Sequence, residues 1–345
     1  MKRRDFLKSM AAMVGWFAVG CMPAKESAKE SAKEAPKETD RRDYYHILLI
    51  SDLHLPVRTK QHPDEAVQKD LLQKKQQLLK TVNAWDDVDE AALLGDLAAR
   101  YGKESEFVAV DEYLGSLKFP YYAVAGNHDY AYKDQPRISS KGKEKLVLGT
   151  PEEKKAKLAA FQKRYKQPDL YYARTVADCR LLYLAPDACG TIVELSQEQL
   201  EWMKSEISAH KKGPMFFFCH APLMGTLRQY RDKINTPKTT AQPSELLAEV
   251  LADVPPGSLW ISGHTHTPPT NDSYADDSVN RVHKNLVNIH NPTIDTPDIY
   301  TNSLFIYKDR TVVRTYDHNK GEWIAGFDRT FPFAGAENIS KGSRT

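Results

Sequence analysis

Short, nearly continuous apolar runs recur along the chain, and between them lie longer segments whose apolar residues have a helical period. The apolar runs cover residues 45–50, 90–94, 121–125, 181–185, 215–218 and 258–261. Runs of this length are typical of strands that are buried on both faces of a sheet. The pattern therefore predicts strands that alternate with helices.

Three of the intervening segments predict amphipathic helices. Two of these open with capping boxes, Thr150-Pro-Glu-Glu153 and Ser196-Gln-Glu-Gln199, and the first has proline at the first helical position. The residues predicted to face the core are Leu71, Leu72, Leu78, Leu79, Val82 and Trp85 in the first helix, Leu158, Phe161 and Tyr165 in the second, and Leu200, Met203 and Ile207 in the third.

The last third of the chain ends in a different pattern. Residues 303–307 and 311–315 alternate between apolar and polar around Lys308-Asp309-Arg310, which predicts an antiparallel hairpin. Alternating strands and helices followed by a hairpin indicate an α/β fold, with a mixed β-sheet sandwich flanked by helices. Residues 44–345 are predicted to form this one domain.

Composition excludes several classes of protein. Hydrophobic residues make up 41% of the 345 residues and charged residues 27%, which is close to the average of soluble domains and excludes a wholly disordered chain and a multi-span membrane protein. The net charge is +2, but residues 1–20 carry four basic residues and one acid, so the rest of the chain is slightly acidic. No nucleic-acid partner is predicted.

The N-terminal residues predict export. After the charged residues 1–8, no charge occurs from Ser9 to Ala24, a stretch too short to span a membrane and typical of a signal peptide, predicted here as residues 1–20. Residues 3–8, Arg-Arg-Asp-Phe-Leu-Lys, resemble a twin-arginine export signal. Ala18-Val-Gly-Cys21 resembles a lipoprotein cleavage site, which implies a lipid on Cys21; ordinary cleavage and a short N-terminal anchor are the alternatives.

A low-complexity spacer follows. Residues 24–38 repeat Ala-Lys-Glu-Ser with a period of four, and residues 24–43 carry six basic and six acidic residues. Such a segment buries nothing, so residues 21–43 are predicted to be a lipidated N-terminus and a solvated tether. The expected location is the bacterial cell envelope, as a periplasmic or surface lipoprotein anchored to the membrane through Cys21.

Polar groups follow five of the predicted strands. They are Ser51-Asp52-Leu53-His54, Gly95-Asp96, Gly126-Asn127-His128-Asp129, Cys219-His220 and Gly263-His264-Thr265-His266. Ligands of α/β sheets bind at the carboxyl ends of the strands, where these groups would converge. A mixed set of carboxylate, amide and imidazole groups suits Mn, Fe or Zn.

These five motifs, complete and in order, resemble those of the calcineurin-like metallophosphoesterases. The resemblance implies a four-layer α/β/β/α fold and two divalent transition metals. It implies that one metal is held by Asp52, His54 and His266, that the other is held by Asn127, His220 and His264, and that Asp96 bridges them. It further implies a bridging hydroxide as nucleophile and His128 as a donor to the leaving oxygen. Asp-x-His and His-x-His would each place both side chains on one face of an extended segment.

One position differs from related phosphatases, and the position after it does not. After Gly95-Asp96, Ala99 stands where the phosphoprotein phosphatases have an aspartate and the purple acid phosphatases a tyrosine. His128 therefore lacks that orienting carboxylate, unless Asp129 or the segment 268–291 supplies one. Arg100 remains a candidate phosphate ligand, with a surface arginine as the alternative.

Substrate contacts are expected between the motifs. Residues 131–167 hold eleven basic and four acidic residues, and Arg137 and Lys141 are candidate substrate contacts; a solvated helix face is the alternative for residues 154–166. Residues 268–291, with Tyr274, Arg281, His283 and His290, form either a specificity lid or a plain loop. Cys219 is predicted to point into the core, and Cys179 and Cys189 either pair or stay free.

The function predicted from these features is hydrolysis of a phosphomonoester or phosphodiester, similar to the phosphodiesterase branch of the family. The substrate would be a phosphorylated small molecule or a component of the envelope. A pyrophosphatase that acts on nucleotide-sugar or lipid-linked diphosphates is one alternative. A surface binding protein without turnover on the same scaffold is another.

Overall fold

The first sheet is built around strand β1, Tyr44–Ile50. The computed structural model describes residues 42–228 and 234–334, so the predicted signal peptide, Cys21 and most of the tether lie outside the described residues. Strand β1 pairs in parallel with β2, which in turn pairs in parallel with β3, and it pairs antiparallel with β12. The seven strands of this sheet are β1 (Tyr44–Ile50), β2 (Glu90–Leu93), β3 (Tyr121–Ala123), β12 (Tyr300–Tyr307), β13 (Arg310–Asp317), β14 (Glu322–Trp323) and β15 (Arg329–Pro332).

A second sheet of six strands has a parallel centre and two antiparallel edges. Strands β7, β8, β9 and β11 pair in parallel, while β6 and β10 close the two edges. The strands are β6 (Tyr172–Val176), β7 (Cys179–Tyr183), β8 (Met215–Phe218), β9 (Ser258–Ser262), β10 (Arg281–His283) and β11 (Leu286–His290). A separate two-stranded ribbon consists of β4 (Arg137–Ile138) and β5 (Glu144–Lys145).

Helices cover the outer face of each sheet, which gives the four layers that the resemblance implied. Apolar side chains of α1 and α2 pack on the first sheet, those of α5 and α6 pack on the second, and a third apolar core fills the space between the sheets. The helices are α1 (Glu65–Val82), α2 (Glu104–Leu114), α3 (Asn127–Tyr130), α4 (Pro151–Arg164), α5 (Gln197–Ala209), α6 (Ser244–Val250) and α7 (Asp277–Asn280).

The predicted helices and the hairpin are present, with two differences of detail. Leu72 does not face the core with its neighbours Leu71 and Leu78, because it lies on the solvent side of α1 and is 42% exposed. Ser196 caps α5 through the amide of Gln199, but the Gln199 side chain bonds to Ala185 instead of completing the capping box. The hairpin of β12 and β13 extends beyond the predicted residues on both sides.

The segment 268–291 is neither a lid nor a plain loop, so both sequence-based interpretations of it are wrong. It contains α7, β10 and β11, and β11 pairs with β9 as a full member of the second sheet. Tyr274 and His290 are buried, and the Tyr274 hydroxyl donates to Asn302. This segment therefore forms part of the second sheet and of the protein interior.

The three described cysteines are free and buried, which decides the open question of a bridge. Cys179 lies in β7, Cys189 follows that strand, and Cys219 packs in the core between the second sheet and its helices, as predicted. Within residues 42–228 and 234–334, no helix combines the length and apolar character needed to cross a membrane.

Candidate metal centre

The polar groups predicted at the strand ends do converge. Asp52 and His54 follow β1, Asp96 follows β2, and Asn127 opens α3 just after β3. From the second sheet, His220 follows β8 and the pair His264 and His266 follows β9. The two sheets thus contribute to one site from facing edges, as ligand sites of α/β folds do.

The backbone of these loops is not extended, and the sequence-based explanation of the Asp-x-His and His-x-His spacing is therefore wrong. Positive φ angles occur at five residues of the site: Asp52 (52°), His54 (46°), Asp96 (51°), His264 (65°) and His266 (54°). The left-handed region is costly for residues with a Cβ, and such strain concentrates at functional sites. The side chains share a face because each strand ends in a sharp turn.

Glycines permit the close approach of these turns. Gly95 has φ of 86°, and a Cβ at this position would lie 2.6 Å from the amide nitrogen of Gly126 and 2.7 Å from Nδ1 of His220. A Cβ at Gly126 would clash with Oδ1 of Asp96. The motif glycines therefore leave room for the neighbouring ligand side chains.

A first cluster of metal-binding groups consists of Asp52, His54, Asp96 and His266. Nε2 of His266 lies 3.1 Å from Oδ1 of Asp52 and 3.1 Å from Nε2 of His54. Nε2 of His54 lies 3.9 Å from Asp52 Oδ1 and 3.8 Å from Asp96 Oδ2. One atom from each side chain thus faces a common point.

A second cluster consists of Asp96, His220 and His264. Nε2 of His220 lies 3.3 Å from Asp96 Oδ1 and 3.1 Å from Nδ1 of His264. Asn127 belongs to the same group, because its Oδ1 lies 3.2 Å from His220 Nε2. Asp96 is shared between the clusters, with Oδ2 toward the first and Oδ1 toward the second.

Hydrogen bonds to main-chain carbonyls orient the second cluster. His220 donates from Nδ1 to Leu94 at 2.7 Å, and His264 donates from Nε2 to Lys238 at 2.9 Å. Each bond fixes the tautomer that leaves the other ring nitrogen facing the cluster. Asn127 donates from Nδ2 to the hydroxyl of Tyr132, so that its oxygen points inward.

Electrostatics favour an ionised carboxylate at the centre. Burial acts to raise the pKa of Asp96, but the positive charge of His220 and His128 outweighs it, and the pKa lies well below its usual value. For His220, burial acts to lower the pKa and the charge of Asp96 raises it, to about 9. Burial lowers the pKa of His54 well below its usual value, and the charge of Arg58 adds to this effect.

His128 lies beside the first cluster, with its ring centroid 5.1 Å from that of His54. Its amide donates to Asp96 Oδ1 at 2.7 Å, and its Nδ1 donates to the carbonyl of Arg100 at 2.9 Å. Burial lowers the pKa of His128. Because Nδ1 is engaged with Arg100, Nε2 is the ring nitrogen of His128 that can interact with a bound molecule.

Asp129 does not orient His128, which was one expectation from the sequence. Its carboxylate accepts from the amides of Ala98 and Gly126, both at 2.8 Å, and so ties two loops of the site together. Burial raises the pKa of Asp129 to about 8, with the charge of Asp96 acting in the same direction.

The three candidate substrate contacts, Arg100, Arg137 and Lys141, differ in burial. Arg100 is half-buried next to Ala99 and bonds through Nε to the Tyr101 hydroxyl. Arg137 and Lys141 are exposed, Arg137 in β4 and Lys141 in the turn before β5. No described contact joins either of them to the metal-binding residues.

In the basic segment 131–167, two lysines of α4 are occupied with structural contacts. Lys154 is buried and donates to the carbonyl of Cys189 at 2.8 Å. Lys157 donates to the carbonyls of Tyr101 and Tyr132. These two lysines hold the loops next to the site in place.

One group at the site was not predicted from the sequence. Asp295 accepts from Arg58, at 2.7 Å from Nε, and from the buried Lys75, at 2.8 Å. The Asp295 amide donates to the Thr293 hydroxyl, which in turn donates to the carbonyl of Asp52. These contacts tie the loop after β1 to residues 293–295. No local sequence motif predicts them.

Comparison with known proteins agrees with the motifs. The family model described as calcineurin-like phosphoesterase matches residues 45–268. None of the curated proteins compared with the sequence is significantly similar to it.

Solved structures with a similar fold include a purple acid phosphatase from yellow lupin (Lupinus luteus), with 12% identity and a TM-score of 0.46 over 84% of this chain and 54% of the lupin chain. This chain therefore spans about half the length of the lupin protein. Others are Vacuolar Protein Sorting 29 from Cryptosporidium parvum, with 12% identity and a TM-score of 0.34 over 85% of this chain and 99% of that one, and a predicted phosphoesterase from Streptococcus pneumoniae, with 11% identity and a TM-score of 0.34 over 85% and 99%.

Proposed function

Because this chain belongs to the calcineurin-like phosphoesterases, we propose that it is a metal-dependent hydrolase of phosphoesters. The observation that carries the proposal is the position of Asp96, whose two carboxylate oxygens face two separate clusters of imidazole groups. A carboxylate shared in this way is the centre of a two-metal site.

The donor groups fit two divalent transition metals. Oδ1 of Asp52 is buried and accepts no hydrogen bond in the part of the chain that the structure describes, although ring nitrogens of His54 and His266 lie next to it. An acceptor left in this state is costly unless a cation completes it. Asp52, His54 and His266 would hold one metal, Asn127, His220 and His264 the other, and Asp96 would bridge them.

When bound, such a pair of cations holds phosphoryl oxygens and makes water nucleophilic near neutral pH. The chain itself supplies the arrangement of the reacting groups. The ring of His128 lies beside that of His54 in the first cluster, and its Nδ1 is engaged with the carbonyl of Arg100. We assign to His128 the protonation of the leaving oxygen, because an imidazole with one nitrogen engaged can carry the transferred proton on the other.

The location of the enzyme is proposed from the sequence alone. Residues 3–8 and 18–21 support export and a lipid on Cys21, and the charged repeat that follows supports a tether. A phosphodiester or phosphomonoester of the cell envelope is therefore the proposed substrate class. A non-catalytic binding protein on this scaffold is disfavoured, because a protein that only binds has no need of the complete set of metal-binding groups.

The test is hydrolysis of chromogenic phosphomonoesters and phosphodiesters by the full chain after removal of metals and reconstitution with Mn²⁺, Fe²⁺ or Zn²⁺. We expect hydrolysis that requires metal and is lost in Asp96→Asn. The matched control is Asp111→Asn, which changes a surface carboxylate of α2. Stoichiometric metal binding without turnover of any ester would overturn the proposal in favour of the binding protein.

A further inference from the structure

A groove of about 550 Å³ opens beside His128. Three segments form it, the loop 56–60 after the first motif, residues 99–106 after Asp96, and residues 135–144, which include β4 and the first residue of β5. It is next to His128 because Arg100, whose carbonyl accepts the His128 hydrogen bond, lines it together with Ala99. We call this feature the cationic groove.

Arg58 brings a fixed positive charge to the cationic groove. Its guanidinium donates from Nε and Nη2 to the same oxygen of Asp295, at 2.7 and 2.6 Å. The other oxygen of Asp295 accepts from Lys75, which is fully buried. One carboxylate thus serves both basic side chains, and burial lowers the pKa of Lys75.

Two further cations of the cationic groove have no carboxylate within salt-bridge distance in residues 42–228 and 234–334. Arg100 and Lys103 both lie against Tyr101, with the guanidinium carbon 5.7 Å and the ammonium nitrogen 4.7 Å from the ring centroid. Glu106 does not pair with them, because its carboxylate accepts from the main-chain amides of Tyr101 and Lys103.

The lining of the cationic groove holds four basic side chains and two acidic ones, Glu106 and Glu144, so its net charge is positive. Lys60 pairs with Glu144, whose carboxylate also accepts from the Tyr101 hydroxyl. A half-enclosed recess that keeps unpaired cations attracts anions, and guanidinium groups bind phosphate oxygens with a matching geometry. A neutral alcohol would make no use of Arg58, Arg100 or Lys103.

We propose that the cationic groove binds an anionic leaving group, so that the preferred substrates of this enzyme are diphosphates whose second phosphate lies between Arg58 and Arg100. This proposal rests on the proposed function and names a phosphoanhydride, cleaved at the same metal centre, as the preferred bond in place of a phosphoester. The oxygen of one water forms a bond to the attacked phosphorus, and the bond from that phosphorus to the bridging oxygen breaks. The bridging oxygen keeps the electron pair and leaves as part of a phosphate monoester. The two protons of the water end on the two phosphates or in solvent.

The test compares two substrates that share their thymidylyl group. In thymidine 5′-(p-nitrophenyl phosphate) the leaving group is nitrophenol, whereas in dTDP-glucose it is glucose 1-phosphate. We expect Arg100→Gln and Arg58→Gln to lower kcat/KM for dTDP-glucose by about 10- to 100-fold, the effect of losing a hydrogen bond to a charged group. The nitrophenyl ester should lose about threefold or less. The control is Lys145→Gln, which changes an exposed lysine of β5 outside the groove and should alter neither rate.

A second measurement does not depend on turnover of the diphosphate. Glucose 1-phosphate should inhibit hydrolysis of the nitrophenyl ester competitively, with an inhibition constant that rises in Arg100→Gln and stays unchanged in Lys145→Gln. If Arg58→Gln fails to fold because Asp295 loses a partner, Arg58→Lys keeps the charge, and its rate on dTDP-glucose should lie between those of Arg58→Gln and the natural chain.

The outcomes separate this proposal from the proposed function. Equal losses on both substrates, an unchanged inhibition constant, or hydrolysis of the nitrophenyl ester without any of dTDP-glucose would overturn the assignment of the cationic groove and leave the phosphoesterase intact. Failure to hydrolyse these two substrates and the chromogenic phosphomonoesters and phosphodiesters with any of the metals would overturn both.

Discussion

His128 donates a hydrogen bond of 2.9 Å from Nδ1 to the main-chain carbonyl oxygen of Arg100. A carbonyl oxygen only accepts, so Nδ1 carries a hydrogen and any proton that His128 exchanges is on Nε2. Ala99, where the phosphoprotein phosphatases have an aspartate, therefore leaves His128 oriented by the next residue of the same loop. A neutral acceptor stabilises an imidazolium less than a carboxylate does, and burial already lowers the pKa of His128.

The first prediction concerns the shared carboxylate. Asp96→Asn removes the charge that faces both clusters, so we expect metal content to fall from two per chain to one or fewer and activity to be nearly abolished. Elemental analysis of the purified variant after dialysis checks the metal content. Asp129→Asn is the comparison, because Asp129 bonds to amides of Ala98 and Gly126 and faces no cluster. It should keep both metals, and two metals per chain in Asp96→Asn would contradict the bridging assignment.

The second prediction concerns stability and pH. His290 is fully buried, and burial lowers its pKa to about 4 from an unfolded value near 6.5. In the unfolded chain His290 is therefore protonated below about pH 6.5, whereas in the folded chain it is protonated only below about pH 4. The free energy of unfolding must then fall as the pH falls through this window. His290 alone should lower the free energy of unfolding at pH 5 by about 2 kcal/mol relative to pH 7.5.

The measurement is urea unfolding of the metal-free chain at pH 7.5 and pH 5, for the natural sequence and for His290→Gln. Between pH 7.5 and pH 5 the free energy of unfolding of the variant should fall by about 2 kcal/mol less than that of the natural chain, whatever its value at pH 7.5. His210→Gln is the comparison: burial also lowers the pKa of His210, but this residue is only half-buried at the end of α5, so its substitution should reduce the loss by less. The same loss in the natural chain and in His290→Gln would show that His290 is not the group that titrates.

The metal-binding residues could be predicted because each follows a strand directly. Asp52, His54 and Asp96 stand where an apolar run stops, and parallel strands bring their carboxyl ends to one edge. The extended backbone that was assumed for Asp-x-His and His-x-His is wrong, because these residues have positive φ angles. No pattern of apolar residues in a sequence reveals a positive φ at a residue other than glycine. The site is set by turns whose conformation depends on the packing of both sheets.

The long-range contacts were beyond prediction for a different reason. Asp295 lies 237 residues from Arg58 and 220 from Lys75, and nothing in the local sequence of any of the three marks the trio. Strand β11 was missed because Asn288 and His290 interrupt its apolar character. Both polar residues are buried, and Asn288 accepts from the amide of Leu223 while His290 donates to Thr226. A polar residue that is satisfied inside the fold is indistinguishable in the sequence from one in a loop.

The third prediction concerns location. Cys21→Ser removes the proposed site of acylation, so we expect the protein to leave the membrane fraction and appear in soluble extracts of the envelope. Lysine at both Arg3 and Arg4 should instead keep the protein inside the cell, because export by the twin-arginine route depends on that pair. Cell fractionation with immunodetection measures both. A Cys21→Ser protein that stays with the membrane after washing at high salt would show that the uncharged stretch of residues 9–24 is an anchor.

The last prediction concerns the proton on His128. General acid catalysis contributes typically about 10²- to 10⁴-fold, and it matters most when the leaving group is a poor one. His128→Ala should therefore lower kcat on alkyl and sugar phosphoesters by two orders of magnitude or more, and on nitrophenyl esters by about tenfold or less, because nitrophenolate departs without a proton. Kinetics on a series of phosphodiesters with leaving groups of increasing pKa measure this as a steeper dependence of log kcat on that pKa in the variant. Arg100→Ala is the matched control, since it removes the guanidinium but keeps the carbonyl that orients His128, and its slope should equal that of the natural chain. A uniform loss across the series in His128→Ala would mean that His128 positions the phosphate and that the leaving oxygen takes its proton from elsewhere.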